Sequence, residues 1–445
     1  MKKVLLIFVF ILTIVLTGCV EKNNTTTEEP AVITTTTKNN IIITTQKDEY
    51  QFMERTIIDS HQTYNEGDVK YPDSLWQTPE YEYESSLDWT EGVRGLFYTS
   101  PIKYNGKETK IAAYIGFPEG ASKNNKVPAI VLVHGGLGTA IPDWVKYWND
   151  LGFAAISMDT EGGEPIEGCS NSNNVHIERN RYENDETYTC GPTNCGFSDV
   201  DKPLSEQWMY HATSSVILAT SLIASFDCVD TQKIGMTGIS WGSMIASIVV
   251  GYDDRISFCM PIYGALSLTQ SCSGFKTIYG SETQAERWDH LNALKRTNAR
   301  MFYVTSTTDF AFSFDAASRC AKASHGFALY KKGFNHGQDV GALEGNLPFF
   351  AKYFCGMDSE FVEIINNPTR ENPLLKFRTY GDVEINSIKI FYTDAAKPDR
   401  TATWESKNVK LVDGLTEYYL NIPESTYCYI QIKYNNNLEV SSYLI

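Results

Sequence analysis

The stretch Lys233-Ile-Gly-Met-Thr-Gly-Ile-Ser240-Trp-Gly-Ser-Met-Ile-Ala-Ser-Ile-Val-Val250 changes character at one residue. Up to Ile239 its apolar side chains read as a buried strand, and from Trp241 onward the small and apolar residues read as a helix. Gly238-Ile239-Ser240-Trp241-Gly242 lies at the junction. A serine with glycine two positions away on each side, between a strand and a helix, sits on a strained turn where larger neighbours would collide. Its oxygen then projects from the end of the sheet.

Working outward, Pro128-Ala-Ile-Val-Leu-Val-His134 is a continuous apolar run, the pattern of a strand covered on both faces. A helical segment, Asp143 to Leu151, leads from it to a strand at Ala154 to Asp159. Further strands are predicted at Phe258 to Tyr263, Arg300 to Ser306 and Phe327 to Lys331, with a helix near Glu206 to Ser225 and a last one at Leu347 to Cys355. Strand, helix and strand in alternation mean an α/β fold with a mostly parallel, doubly wound sheet. Gly95 to Thr99 and Lys110 to Phe117 precede it as a hairpin around Asn105-Gly106. A polar, glycine-rich insertion at 161–204 interrupts the alternation, is too long for an ordinary connection, and is expected to be a lid or substrate-binding loop. Residues 92–370 form this domain. Beyond them, 371–445 carry short β-rich runs and read as a small all-β sandwich packed on the main body.

A serine of this kind attacks only with a base to take its proton. The chain has 7 histidines. Parallel strands place their C-terminal ends on one edge, with Ser240, so a histidine following a strand reaches that edge most easily. His336, in Gly333-Phe-Asn-His-Gly337, does so and is the candidate base; His134 is read as a structural ring. A carboxylate ending another strand should orient the imidazole, and Asp309 after Arg300 to Ser306 fits, with Asp315 in reserve. Acyl transfer also needs main-chain donors for the oxyanion. Trp241, next after the serine, supplies one, while Gly136 and Leu137 in His134-Gly-Gly-Leu-Gly138 are rivals for the other.

From about Val93 to Cys355 the chain resembles the α/β-hydrolases of the prolyl-oligopeptidase and acetylxylan-esterase type. The matching stretches are Val133-His-Gly-Gly136 with Trp144 beyond it, Tyr210-His211-Ala212, Met236 to Gly242, Thr308-Asp309-Phe310 and Asn335-His336-Gly337. The resemblance implies a serine hydrolase with Ser240, Asp309 and His336 as its triad, and a short β-domain after the hydrolase. Leu137 and the cysteine-bearing insertion depart from the pattern.

The N-terminus sets the expected compartment. Met1-Lys2-Lys3, an apolar run from Val4 to Leu16, and Thr17-Gly18-Cys19 have the layout of a signal peptide, too short to span a bilayer. Leu16 to Cys19 resembles the lipobox of prokaryotic lipoproteins, which implies lipidation at Cys19 and an extracytoplasmic protein anchored to the cell membrane. Residues 1–18 are then the signal, 19–48 a Thr/Asn-rich disordered tether and 49–91 an N-terminal extension. The 10 cysteines suit an oxidising compartment, and a bridge among Cys169, Cys190 and Cys195 would staple the insertion, whereas Cys259 reads as a buried strand thiol.

With 54 acidic against 38 basic residues the net charge is −16, which disfavours nucleic acid and anionic polymers and favours neutral acylated substrates. No cofactor or metal is expected: His176-Ile-Glu178 lacks a third ligand. The leading expectation is a carboxylic-ester hydrolase acting on a small acylated or carbohydrate ester, with deacetylation of a sugar or polysaccharide as the favoured reaction. A prolyl-oligopeptidase-type peptidase is the alternative, weakened because the segment before Gly92 is too short for a propeller. A non-catalytic binding lipoprotein on the same scaffold is the third.

Overall fold

The computed structural model describes residues 69–171, 181–278, 287–289 and 291–445. The residues read as signal and tether, 1–48, and Cys19, His61, His176, Glu178 and His290 lie outside the described residues.

Strands β1 (Tyr81–Tyr83), β2 (Val93–Tyr104) and β3 (Lys107–Gly116) pair antiparallel. The predicted hairpin is there: Tyr104 faces Lys107, with Asn105 at φ 51° and Gly106 at φ 79°, as a two-residue hairpin turn requires. Strands β4 (Val127–Val133) and β5 (Ala154–Met158) follow, then a short β6 (Tyr188–Thr189) within the insertion. Next come β7 (Val229–Ile239), β8 (Ile256–Ile262), β9 (Arg300–Ser306) and β10 (Phe327–Lys331). From β5 to β10 the core of the sheet is parallel, in the order β5-β4-β7-β8-β9-β10, and β3 joins β5 antiparallel.

β4 explains why the sheet is doubly wound. Ala129, Val131 and Val133 point into one hydrophobic core while Ile130 and Leu132 point into the other, and all five are fully buried. Helices α1 (Pro142–Asp150) and α6 (Leu347–Phe354) bring residues to the second core. Helices α2 (Trp208–Ala224), α3 (Trp241–Val249) and α4 (Phe314–Ala323) cover the first, and a short α5 (Gln338–Ala342) precedes α6. This is the α/β-hydrolase fold.

α2 is buried on every side from Trp208 to Ile223, more than a surface helix should be. The outer cover comes from the N-terminal extension. Its described part lays Tyr71 and Leu75 over the helix, with the Tyr71 hydroxyl 2.8 Å from Thr213 Oγ1 and Ser221 Oγ donating to the Leu75 carbonyl at 2.6 Å.

Strands β11 (Phe361–Asn366), β12 (Leu374–Tyr380), β13 (Ile385–Thr393), β14 (Glu405–Val409), β15 (Glu417–Tyr419), β16 (Tyr427–Tyr434) and β17 (Leu438–Ser441) enclose a third core. β11, β12 and β15 form one sheet. The other, β17-β16-β13-β14, continues the hydrolase sheet, because β17 pairs antiparallel with β10 at Ala328 and Ser441. β11 precedes residue 371 and still pairs with β12.

The insertion is held down at several points. β6 pairs with Glu108 and Thr109 of β3. Arg181 bonds Glu164 at 2.7 Å and Glu84 at 2.5 Å and lies 4.5 Å over the Phe97 ring. The Asp199 carboxylate accepts the Trp208 N–H at 2.6 Å, capping the start of α2. The bridge expected among Cys169, Cys190 and Cys195 is not formed, and all nine described cysteines are thiols. Cys169 is buried with its Sγ 3.4 Å from the Ala140 carbonyl, Cys190 is buried, and Cys195 is exposed, so side-chain anchors do the stapling instead. Cys259 is a buried thiol of β8, as its run implies.

Glu161 closes the base of the insertion. Its Oε1 accepts the Leu137 N–H at 2.8 Å and the Asn194 side-chain N–H at 2.9 Å, while its Oε2 is buried with no partner among the described residues. Burial, opposed by those two bonds and reinforced by Asp159, pushes this carboxyl from 4.5 up to about 7. The fold therefore favours the protonated form, and stability contributed by Glu161 is present below pH 4.5 and lost as pH rises through about 7. The loss is on the order of 3 kcal/mol. Glu161→Gln, which keeps the neutral shape, is expected to melt near wild type at pH 5 and clearly above it at pH 8; thermal denaturation at the two pH values checks this.

Candidate active site

Ser240 falls between the last residue of β7 and the first of α3, with φ 57° and ψ −118°. Such a backbone costs a non-glycine residue about 1–3 kcal/mol and persists only where its surroundings enforce it. Enforcement comes from both sides. The Ser240 N–H donates to the Ile262 carbonyl at 2.8 Å. A Cβ on Gly238 would overlap the Gly242 carbonyl, and one on Gly242 would overlap the Val133 and His134 carbonyls at the end of β4. The two glycines of the motif thus answer to packing distances.

Asp309 follows β9, and its carboxylate is buried. Oδ1 accepts the N–H groups of Ala311 at 2.8 Å and Phe312 at 2.9 Å, which fixes the plane of the carboxylate. Oδ2 accepts His336 Nδ1–H at 2.6 Å. With Nδ1 committed to the carboxylate, Nε2 of a neutral ring is left as acceptor and can take up a proton. His336 comes from the loop after β10, so Ser240, Asp309 and His336 leave the C-terminal ends of parallel strands on one sheet edge. Gly135 joins the Ser240 and His336 loops. Its N–H lies 3.4 Å from Gln338 Oε1, two residues past His336, and a Cβ on it would be 3.4 Å from the Ser240 Cβ.

The reserve carboxylate is otherwise engaged: Asp315 lies in the first turn of α4, bonded to Ser313 and paired with Arg319 at 2.9 Å. His134 is structural. It is buried, lies 2.7 Å from the Gly135 carbonyl through Nδ1, and accepts the Thr160 N–H at Nε2 at 3.0 Å. His211 is buried with Nε2 2.8 Å from the Ser205 carbonyl.

The rival oxyanion donors separate. Leu137 is 63% exposed with φ 62°, and its N–H is taken by Glu161. The N–H groups of Gly136 and Trp241 have no protein acceptor among the described residues. A Cβ on Gly136 would overlap the Trp241 indole, so the two residues lie against each other. The indole rests in an aromatic nest of Phe197 at 5.6 Å, Trp208 at 5.7 Å, Phe275 at 6.1 Å and Phe312 at 6.2 Å.

Glu161 was not foreseen from sequence. An acidic residue just past the strand end Ala154 to Asp159 was the available signal, and nothing in the order of residues shows that it reaches Leu137. A cavity of about 750 Å³ between the β2–β3 hairpin tip and the 204–206 turn contains none of the candidate residues. Among the described residues, no group of three or more His, Cys, Asp or Glu side chains could hold a metal ion.

Residues 95–289 match the family model of acetyl xylan esterase (AXE1). No curated protein matches. Among solved structures, the acetyl xylan esterase from Paenibacillus sp. R4 is 16% identical, over 59% of this chain and 86% of that one, with a TM-score of 0.45. Acetyl xylan esterase 1 from Thermoanaerobacterium sp. JW/SL YS485 is 16% identical over 58% and 86%, TM-score 0.42. A puromycin-hydrolyzing peptidase of Mycobacterium tuberculosis is 16% identical over 65% of this chain and 41% of that one, TM-score 0.42. The strand order is that of an α/β-hydrolase and the chain is a serine hydrolase, whose residues 95–289 are similar to the acetyl xylan esterase family.

Proposed function

We propose that this chain is a carboxylic-ester hydrolase that removes acetyl groups from a sugar or polysaccharide, with Ser240 as nucleophile, His336 as base and Asp309 as its orienting carboxylate. The observation that carries the reading is the 2.6 Å His336–Asp309 bond on the sheet edge that also presents Ser240 on its strained turn. Ser240 Oγ bonds to the acyl carbon as its proton passes to His336 Nε2. The Gly136 and Trp241 N–H groups receive the oxyanion. Collapse expels the alcohol, which takes the proton from His336, and leaves the acyl on Ser240. Water then attacks the acyl carbon, gives its proton to His336, and the carboxylic acid departs as Ser240 Oγ recovers that proton.

The name of the matched family supports an acetylated carbohydrate as substrate. The net charge of −16 supports a neutral one. The Trp241 indole, wedged against Gly136 beside the donors, supports a short acyl group. Lipid anchoring at Cys19 outside the cytoplasm completes the proposal and rests on Leu16 to Cys19. No helix among the described residues is long and apolar enough to cross a membrane.

Ser240→Ala is expected to abolish fluorophosphonate labelling and to lower turnover of 4-nitrophenyl acetate by about 10⁴-fold or more. Labelling that survives the substitution, or prolyl-amide turnover without esterase activity, would overturn the reading. Asp309→Asn is expected to lower kcat by about 10³–10⁴-fold through the wrong imidazole tautomer, with KM little changed. Trp241→Phe leaves the main-chain donor in place and opens space beside it; the butyryl-to-acetyl ratio of kcat/KM is expected to rise by about 10-fold, measured on 4-nitrophenyl esters.

A further inference from the structure

We infer that Tyr263 is a positioning residue that holds the His336 imidazole in register with Asp309 and with the serine turn; the inference rests on the triad reading above. Tyr263 follows β8 directly, is fully buried, and has φ 55°, a left-handed conformation that a bulky side chain adopts only under constraint. Its N–H donates to the Val304 carbonyl at 3.0 Å, which fixes the backbone in that state. The consequence is the direction of the ring. It lies 4.9 Å from the His336 ring at an interplanar angle of 29° and 4.5 Å from Phe334. A Cβ on Gly341 would be 2.9 Å from Tyr263 Cε2. The loop residues Phe334 and His336 and Gly341 of the following helix α5 therefore all lie against Tyr263.

The neighbours of Tyr263 in the chain hold the other partner. The Ile262 carbonyl accepts the Ser240 N–H, and a Cβ on Gly264 would overlap the Ser240 carbonyl. Three consecutive residues thus hold the backbone of the nucleophile and the ring of the base, so the spacing between them is set by one short rigid segment. The ring is the useful part. Its hydroxyl is buried with no hydrogen-bond partner among the described residues, an arrangement that costs stability and that phenylalanine would avoid. Burial, with Asp309, Glu344 and Asp339 nearby, pushes that hydroxyl far above the usual tyrosine range, so the ring stays neutral. A neutral aromatic face against the imidazole limits its rotation.

The test compares Tyr263→Phe and Tyr263→Leu on 4-nitrophenyl acetate, with Ser240→Ala alongside. Tyr263→Phe is expected to keep kcat and KM within about 2-fold, and Tyr263→Leu to lower kcat by about 10–100-fold with KM nearly unchanged. The downfield proton resonance of the His336–Asp309 bond is expected in wild type and Tyr263→Phe and to be broadened or lost in Tyr263→Leu. A folded Tyr263→Leu with wild-type kcat, or one with reduced kcat and an unchanged resonance, would overturn the inference. If Tyr263→Leu does not fold, Tyr263→Met fills more of the space and carries the same comparison. Full activity in Ser240→Ala would sink the triad reading, whereas an inactive Ser240→Ala beside a fully active Tyr263→Leu would sink the Tyr263 inference alone.

Discussion

The close passage of the 238–242 turn beneath the end of β4 is the constraint on which the rest of this hydrolase depends. Gly242 lies so near the Val133 and His134 carbonyls that no side chain fits, and Gly238 has the same relation to Gly242. That proximity bends the chain from β7 into α3 within one residue and leaves Ser240 in a conformation its own side chain would not choose. It also sets where Gly135 and Gly136 lie, because they continue from the strand end that presses on the turn. Tight backbone packing, together with the Ser240 N–H to Ile262 carbonyl bond, places the serine and its neighbouring N–H groups.

Around this apolar frame lie two carboxylates with opposite environments. Asp309 is surrounded by donors, two main-chain N–H groups on one oxygen and an imidazole on the other, so each oxygen is satisfied. Glu161 has donors on one oxygen, and the other is buried with no partner among the described residues. Full hydrogen bonding suits a carboxylate that steadies a histidine, and partial hydrogen bonding suits an acid that fastens a loop in its neutral form. The difference also explains why Leu137, equivalent to Gly136 as a donor on sequence grounds, is not free in the folded chain.

Much of the fold was legible because periodicity reports burial. The two-sided run in β4, the Asn105-Gly106 turn and the chain order of Ser240, Asp309 and His336 each follow from local rules, and the structure brings Asp309 and His336 together. Features that depend on distant partners were not legible. Spacing cannot tell that Cys169 rests against the Ala140 carbonyl with no bridge, that Glu161 reaches Leu137, or that Tyr263 faces His336. β11 was missed for the same reason: Phe361 to Asn366 falls at the end of the stretch 92–370, where no element was read, and its partner β12 lies beyond that boundary.

The continuity of the sheet from β10 into β17 has a consequence for how the molecule is made. β10 leads into the loop that carries His336, and its outer edge is covered through a partner 111 positions later, where the Tyr330 N–H meets Ser441 Oγ. Until that segment arrives, a strand of the central sheet has an unpaired edge, the kind of surface on which two chains pair instead of one. A non-local closure of this sort slows folding. In the folded chain β17 closes that edge of the central sheet, so the strand offers no open ladder to a second copy.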